Sequence, residues 1–119
     1  MRKPIIVGNW KMNKTIAEAV EFINAVDGAC HDGATYGIAT SFIALNEANK
    51  LAKNLIVAAE NCHFKDSGAY TGEVSALMLK SIGVSYVIIG HSERRAMFNE
   101  TDETCNLKVK KAFEVGLLP

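Results

Sequence analysis

Residues 5–26, with the sequence IIVGNWKMNKTIAEAVEFINAV, run from a short apolar stretch through a polar turn into an amphipathic pattern. The stretch Ile5–Val7 is β-branched and does not alternate with polar residues, as is typical of a strand covered on both faces in a parallel sheet. Thr15 and Glu18 then have capping-box spacing. An apolar stripe of helical period follows at Ala19, Phe22, Ile23 and Val26. The segment predicts one strand followed by one helix.

The strand-then-helix order repeats three more times along the chain. Further apolar runs lie at Tyr36–Ala39, Leu55–Ala59 and Tyr86–Ile89, with helical patterns between them and after the last. Right-handed crossovers would place the helices outside one parallel sheet. We therefore predict an α/β fold of four parallel strand-helix repeats, (β/α)4, in a single domain over residues 1–119.

The later helices carry recognisable start and stop residues. The second has apolar residues at Ala44, Leu45, Ala48, Leu51 and Ala52. The third is Ala76–Ser81, with Ser75 as its N-cap and Gly83 just past its end. The fourth begins at Thr101, has acids in its first turn and stops at Gly116. Its predicted buried face is Cys105, Val109, Ala112 and Phe113.

Composition excludes several classes of protein. Hydrophobic residues make up 49% of the 119 and charged residues 22%, close to the average for a globular domain, which argues against disorder and a membrane span. The 13 basic and 13 acidic residues cancel. Nucleic-acid binding normally needs a basic patch, whereas a neutral chain repels its own copies only weakly and permits self-association.

The cysteines and histidines indicate neither disulfides nor a metal. Cys30, Cys62 and Cys105 form no Cys-x-x-Cys pair, and we expect reduced thiols in a cytoplasmic protein. His31 and His63 have no partners at metal-ligand spacing. The three-residue apolar run near the N-terminus is too short for a signal peptide.

Gly8–Asn13, with the sequence GNWKMN, follows the first strand directly. Loops at the carboxyl ends of parallel strands build the sites of α/β folds. Asn9 and Lys11 can point into one cleft, where the ammonium could hold a phosphate or stabilise a developing oxyanion. The alternative is a solvated lysine beside a packed Trp10.

A second alternative is a nucleotide-binding loop. Gly8, Lys14 and Thr15 have the Gly-x4-Gly-Lys-Thr spacing after a strand. Asn13, however, stands where the second glycine is required, and Trp10 crowds a loop that must wrap phosphate with bare backbone. We therefore disfavour nucleotide binding and assign Thr15 to the helix cap.

Gly90–Arg95, with the sequence GHSERR, follows the fourth strand. His91 would lie at the N-terminus of a short helix, whose dipole favours the neutral imidazole, and a neutral imidazole can donate a hydrogen bond to a carbonyl oxygen. Glu93 could interact with Lys11. The alternative is a surface ion cluster, usually worth little to stability, of Glu93, Arg94, Arg95 and Glu100.

Gly68–Glu73 lies in a segment of about fifteen residues, starting near Asn61, with no helical or strand pattern. Loops of that length are often functional. The segment is either a mobile loop or a self-packed loop that docks on a partner.

Together, Gly8–Asn13, Ala69–Glu73 and Gly90–Arg95 resemble triosephosphate isomerase in their order and separation. The resemblance runs from Lys3 to Pro119. It implies the N-terminal half of a TIM (β/α)8 barrel, a fold of about 250 residues. It also implies an aldose-ketose isomerase of glycolysis and gluconeogenesis that interconverts dihydroxyacetone phosphate and glyceraldehyde 3-phosphate without a cofactor.

The resemblance implies a role for each matching residue. Asn9 and Lys11 would contact the substrate, with Lys11 supplying positive charge for its phosphate and the enediolate. His91 would polarise the carbonyl and move protons between the two oxygens, and Glu93 would support Lys11 and His91. The loop Tyr70–Glu73 would insert into the neighbouring subunit of a homodimer.

Further implications concern the interface and the departures from the family. Arg94 would pair with acids at the subunit interface, with Glu73 as a candidate. Thr40–Phe42 lacks the prolines usual after the second strand, and Glu60 stands where glutamine is common.

The general-base glutamate, the lid and the phosphate loops of the family belong to strand-helix units five to eight and have no counterpart in these 119 residues. Loss of a base alone removes a factor of about 10² to 10⁴ in rate, so we expect this chain, as a fragment or truncated form, to be inactive or nearly so. The alternative is a catalytically silent half-barrel that self-associates through two open sheet edges and an uncovered inner face.

Overall fold

The computed structural model describes all residues, 1–119, and the chain divides into two compact units, Met1–Glu60 and Asn61–Pro119. The first contains strands β1 to β3 and two α-helices: β1 Ile5–Asn9, α1 Ile16–Val26, β2 Thr35–Thr40, α2 Phe42–Leu51 and β3 Ile56–Ala59. The second contains one strand and three helices: α3 Ala76–Ser81, β4 Tyr86–Val87, α4 Ser92–Met97 and α5 Asp102–Val115. The predicted order is confirmed, and α4 is the short helix expected after His91. None of the helices has the length and apolar composition needed to cross a membrane.

The sheet of the first unit is parallel. Ile5 pairs with Thr35 where β1 meets β2, and Gly37 pairs with Ile56 where β2 meets β3. Most of β2 and β3 is buried, as the continuous apolar runs predict. The prediction is wrong for β1, whose Ile5 and Ile6 are 64% and 55% exposed, because no strand pairs with its outer edge and little else covers it.

Helix α1 begins as its sequence predicts. The Thr15 hydroxyl accepts from the Glu18 N–H at 3.3 Å, and the Glu18 carboxylate accepts from the Thr15 N–H at 3.1 Å, so the capping box is complete. Ala19 and Ile23 of the predicted stripe are buried. On α2 the buried residues are Ala44, Leu45 and Ala48, also as predicted.

Asp27 joins the end of α1 to the segment before β3. Its Oδ1 accepts from the N–H groups of Lys53, Asn54 and Leu55 at 3.1, 3.0 and 2.9 Å. Burial alone would raise the pKa of Asp27, but these backbone N–H groups outweigh it and hold the pKa below its ordinary value. The sequence did not predict this contact, which spans 28 residues at its longest.

In the second unit, the Ser75 hydroxyl accepts from the Met78 N–H at 3.1 Å, which confirms the cap of α3. Strand β4 is shorter than the predicted Tyr86–Ile89. The outer side of β4 is already paired within the unit. Val87 N donates to Leu118 O at 3.1 Å, and Leu118 N donates to Ser85 O at 2.7 Å. The expectation that this edge is wholly open is therefore wrong.

Helix α5 starts at the predicted cap, Thr101, and ends at Gly116, which has a left-handed φ of +87°. Its buried face is only partly as predicted. Phe113 is 64% exposed, whereas Lys108 is buried. The reason is a buried acid, Glu100, which holds the Lys108 ammonium at 2.8 Å and so turns that side of the helix inward.

Candidate active site

Asn9 and Lys11 form a defined turn at the carboxyl end of β1. The Asn9 side-chain oxygen accepts from the Lys11 N–H at 2.9 Å. Lys11 has a φ of +56°, in the left-handed region that non-glycine residues rarely adopt and that clusters at functional sites. The carboxamide stabilises this conformation as an Asx-type turn. The structure thus brings the two predicted substrate-binding residues together, with Lys11 exposed.

The rest of this loop does not suit a nucleotide phosphate. The Trp10 ring packs edge-on against Phe22 at 5.2 Å between centroids, and the Lys14 ammonium lies 5.2 Å from the Trp10 ring centroid. Asn13 Nδ2 donates to Trp10 O at 2.7 Å and closes the turn. Thr15 caps α1. The lysine and threonine that a nucleotide-binding loop would use are therefore engaged elsewhere.

His91 is the N-cap of α4, as the motif predicts. Its Nδ1 accepts from the Glu93 N–H at 3.0 Å, and the Glu93 carboxylate lies 3.7 Å from the same nitrogen. A ring nitrogen that accepts carries no proton, so the neutral ring has its N–H on Nε2. The imidazole is 27% exposed and can offer that N–H to a bound molecule. The structure brings His91 and Glu93 together within the second unit.

A buried ionic network lies between α4, α5 and the segment after β3. The Lys108 ammonium donates to Glu100 at 2.8 Å and to Asn61 at 2.9 Å. Glu100 also accepts from the Thr104 hydroxyl at 2.5 Å, and the Arg94 Nε lies 3.5 Å away. The expected surface ion cluster is therefore wrong for Glu100, whose side chain is 3% exposed.

The charge of Glu100 is stabilised by these partners. Burial is the largest single effect and would raise its pKa, but the hydrogen bonds from Lys108 and Thr104 and the charges of Lys108 and Arg94 together lower it. One sequence signal could have indicated the network. Thr104 and Lys108 are four residues apart and so share one face of α5, and Glu100 stands four residues before Thr104.

The three cysteines are free, as predicted. Cys62 is fully buried next to the network, and burial raises the pKa of its thiol to about 11, although the Lys108 charge opposes the rise. It is therefore a thiol rather than a thiolate at neutral pH. No cluster of three or more histidine, cysteine, aspartate or glutamate side chains is arranged to hold a metal ion.

The segment before α3 is irregular but packed on itself. The His63 ring lies between Phe64 and Tyr70, with centroid distances of 4.5 and 4.6 Å. His63 N donates to Val74 O at 2.8 Å, and Glu73 N donates to Tyr70 O at 3.0 Å. Tyr70 is nevertheless 40% exposed. The loop therefore packs on its own side chains.

Known proteins similar to this chain agree with one another. The family model described as "Triosephosphate isomerase" matches residues 4–119. The triosephosphate isomerase of Alkaliphilus metalliredigens is 55% identical over 100% of this chain and 49% of the relative. The triosephosphate isomerase of Chlorobium luteolum is 52% identical over 98% of this chain and 49% of the relative. The crystal structure of triosephosphate isomerase from Bartonella henselae matches with a TM-score of 0.92 and 39% identity, over 98% of this chain and 50% of that chain.

Two facts follow from these matches. The chain spans about half the length of the curated relatives that it matches. The predicted fold class is confirmed, because strands alternating with helices match the first half of a TIM barrel.

Proposed function

Because the chain belongs to the triosephosphate isomerase family, we propose that it supplies the substrate-binding and electrophilic residues for interconverting dihydroxyacetone phosphate and glyceraldehyde 3-phosphate. The observation that carries this proposal is the geometry of His91, whose Nδ1 accepts from the Glu93 N–H and leaves Nε2–H to donate. A neutral histidine electrophile is a known feature of this family. The reaction needs no cofactor.

Lys11 provides positive charge for the substrate. An exposed ammonium at the end of β1 attracts the phosphate and the negative charge that develops on the enediolate oxygen. The Asn9 carboxamide holds the Lys11 backbone before any substrate arrives, so less ordering is needed on binding. Asn9 also contacts the substrate in this proposal.

His91 polarises the substrate carbonyl through Nε2–H and then moves protons between the two oxygens of the enediolate. Glu93 supports this role in two ways. Its backbone N–H fixes the rotation of the imidazole ring, and its carboxylate lies 3.7 Å from the same Nδ1.

The 119-residue chain by itself should be inactive or nearly so. Isomerisation also requires a base that removes a proton from carbon, and that base, the lid and the phosphate loops lie in later strand-helix units of the family. Loss of a base lowers the rate by a factor of about 10² to 10⁴. Loss of substrate orientation and of protection from water lowers it further.

A coupled assay on the purified chain tests this proposal, alone and mixed with a separately produced C-terminal half of the Alkaliphilus metalliredigens relative. We expect the chain alone to give only background turnover. Any turnover restored by the C-terminal half should fall in Lys11→Ala and in His91→Ala. Turnover by the chain alone that both substitutions abolish would disprove inactivity. Restored turnover that neither substitution affects would disprove the site assignment.

Self-association of a catalytically silent half-barrel is the second candidate function. The exposed isoleucines and open edge of β1 support it, and the exposed Tyr70–Glu73 loop offers a second contact with a copy. Arg94 remains a candidate to pair with an acid such as Glu73 of a second copy, although within the chain it lies beside Glu100.

The three free thiols support a cytoplasmic location.

A further inference from the structure

The side chain of Arg95 reaches back to the turn that carries His91. Its Nε donates to Gly90 O at 2.9 Å, and its Nη1 donates to Asp102 Oδ1 at 2.7 Å. Its Nη2 lies 3.4 Å from the Cys105 sulfur. One planar guanidinium therefore ties the turn before α4 to the first turn of α5.

Gly90 is constrained by both its conformation and its neighbours. Its φ is +72°, and a Cβ there would lie 2.8 Å from the Cys105 sulfur and 3.3 Å from the Arg95 Nη2. The carbonyl of Gly90 and the N–H of His91 belong to the same planar peptide group. Fixing the direction of that carbonyl therefore fixes the direction of the His91 amide and, through it, where the side chain leaves the backbone.

We propose that Arg95 is a positioning residue for His91, because its hydrogen bond to Gly90 O sets the backbone from which the imidazole projects. The Glu93 N–H sets the rotation of the ring, so the two contacts constrain different degrees of freedom. The catalytic meaning of this proposal rests on the proposed function, whereas the constraint itself is a property of this chain. A lysine would not replace Arg95, because one ammonium cannot reproduce the planar fork that bridges Gly90 and Asp102.

The chain provides internal controls for a test. In each of its three histidines, Nδ1 accepts from the backbone N–H two residues later. These N–H groups belong to Gly33, Lys65 and Glu93, each at 3.0 Å from its histidine. Of the three turns that carry histidines, Arg95 is hydrogen-bonded to that of His91, so a loss of positioning should affect the Glu93 amide and leave the other two amides unchanged.

Nitrogen-15 NMR of the imidazoles, with hydrogen exchange of the three amides, measures this directly on the full chain. In Arg95→Ala we expect the Glu93 amide to exchange about tenfold faster and the His91 ring to populate both tautomers. Arg95→Lys should show the same two changes, in Glu93 amide exchange and in the His91 tautomer. Asp102→Asn should give a smaller change of the same kind. Lys111→Ala is the matched control, because it removes an ion-paired cation of α5 that is bonded to Asp66 and Glu114 and not to a histidine turn.

Unchanged Glu93 exchange and His91 tautomer in a folded Arg95→Ala chain would overturn the proposal, as would equal changes in Lys111→Ala. If Arg95→Ala does not fold, Asp102→Asn decides, since its side chain is 95% exposed and its loss is tolerable. These readouts need no turnover. If the complemented enzyme is inactive, the proposed function fails and the positioning result stands. If it is active, Arg95→Ala should lower kcat by about tenfold with little change in KM.

Discussion

Glu100 is a carboxylate with almost no access to water, so its charge depends on protein partners. Lys108 and Thr104 donate to it directly, and Arg94 adds a further positive charge. Removing one member of a buried pair leaves the other charge without compensation, which costs more than the pair contributes to stability. The network also joins the segment at Asn61 to α5, so its integrity holds the second unit together.

We expect Glu100→Gln to lower the free energy of unfolding by about 3 kcal/mol, because Lys108 keeps a buried charge without its main acceptor. The double variant Glu100→Gln/Lys108→Met should be more stable, by at least about 1 kcal/mol, than the sum of the two single losses predicts. Chemical denaturation of the four chains in the cycle measures this coupling.

The control for that cycle is Glu114, an exposed acid that pairs with Lys111 on the helix that carries Lys108. The two groups are 2.9 Å apart and the Glu114 side chain is 67% exposed, so Glu114→Gln should cost no more than about 0.5 kcal/mol. Equal losses of unfolding free energy in Glu100→Gln and Glu114→Gln would show that burial does not make the network more important for stability than an exposed ion pair.

Residue-level prediction from sequence succeeded where the chemistry is local. The position of His91 at the start of a short helix was predicted, and its cap joins residues two apart, so the motif itself contains the contact. The contact between Lys108 and Asn61 spans 47 residues, and a lysine in a helix is usually exposed. Only the fold could bring those two together, so the sequence pattern did not reveal them.

Asp27 acts at the scale of elements, because it fastens the end of α1 to the chain that enters β3. A single carboxylate oxygen accepts from three successive N–H groups there. An asparagine at this position keeps the shape but loses the charge that strengthens these bonds. We expect Asp27→Asn to lower the free energy of unfolding at neutral pH by about 1–2 kcal/mol.

The same substitution should change the response to acid. The pKa of Asp27 is lowered in the folded chain, so its contribution is present above the ordinary aspartate pKa and is lost as pH falls through the folded value. In thermal unfolding from pH 7 to pH 2, the difference in stability between the two chains should therefore narrow toward the acid end. Asp32→Asn is the matched control, since its carboxylate accepts none of these N–H groups. A difference that stays constant from pH 7 to pH 2 would contradict the charge argument.

Element-level prediction from sequence was strongest at the ends of helices. The caps at Thr15, Ser75 and Thr101 and the stop at Gly116 follow from side-chain chemistry within three or four residues. Strand β4 was predicted too long because Ile88 and Ile89 are apolar and β-branched in the same way as paired residues. Apolar character reports burial, whereas pairing depends on a neighbouring strand that the pattern does not contain.

At the scale of the whole molecule, the repeat order identified the fold but not which surfaces remain open. Both edge strands were expected to be unpaired on their outer sides. Tyr86 of β4 in fact pairs with Leu118, whereas no strand pairs with the outer edge of β1. With a formal net charge of zero, a second copy meets no net repulsion. The edge of β1 is therefore the strongest candidate for self-association.

We expect the chain to form a dimer or higher oligomer at micromolar concentration and Ile5→Lys to shift it toward monomer. A lysine on an edge strand opposes pairing with another strand, and Ile5 is 64% exposed, so the folded unit tolerates the change. Light scattering coupled to size-exclusion chromatography measures the mass. Ile43→Lys is the matched control, because Ile43 is 72% exposed on α2, away from the edge.

The variants also separate the two routes to association. If Tyr70→Ala yields monomer and Ile5→Lys does not, the Tyr70–Glu73 loop carries the contact and the edge does not. Equal dissociation by Ile5→Lys and Ile43→Lys would indicate a loss of general surface hydrophobicity rather than of strand pairing. A stable monomer of the unmodified chain at micromolar concentration would exclude self-association by either route, because an edge that templates pairing should already be occupied there.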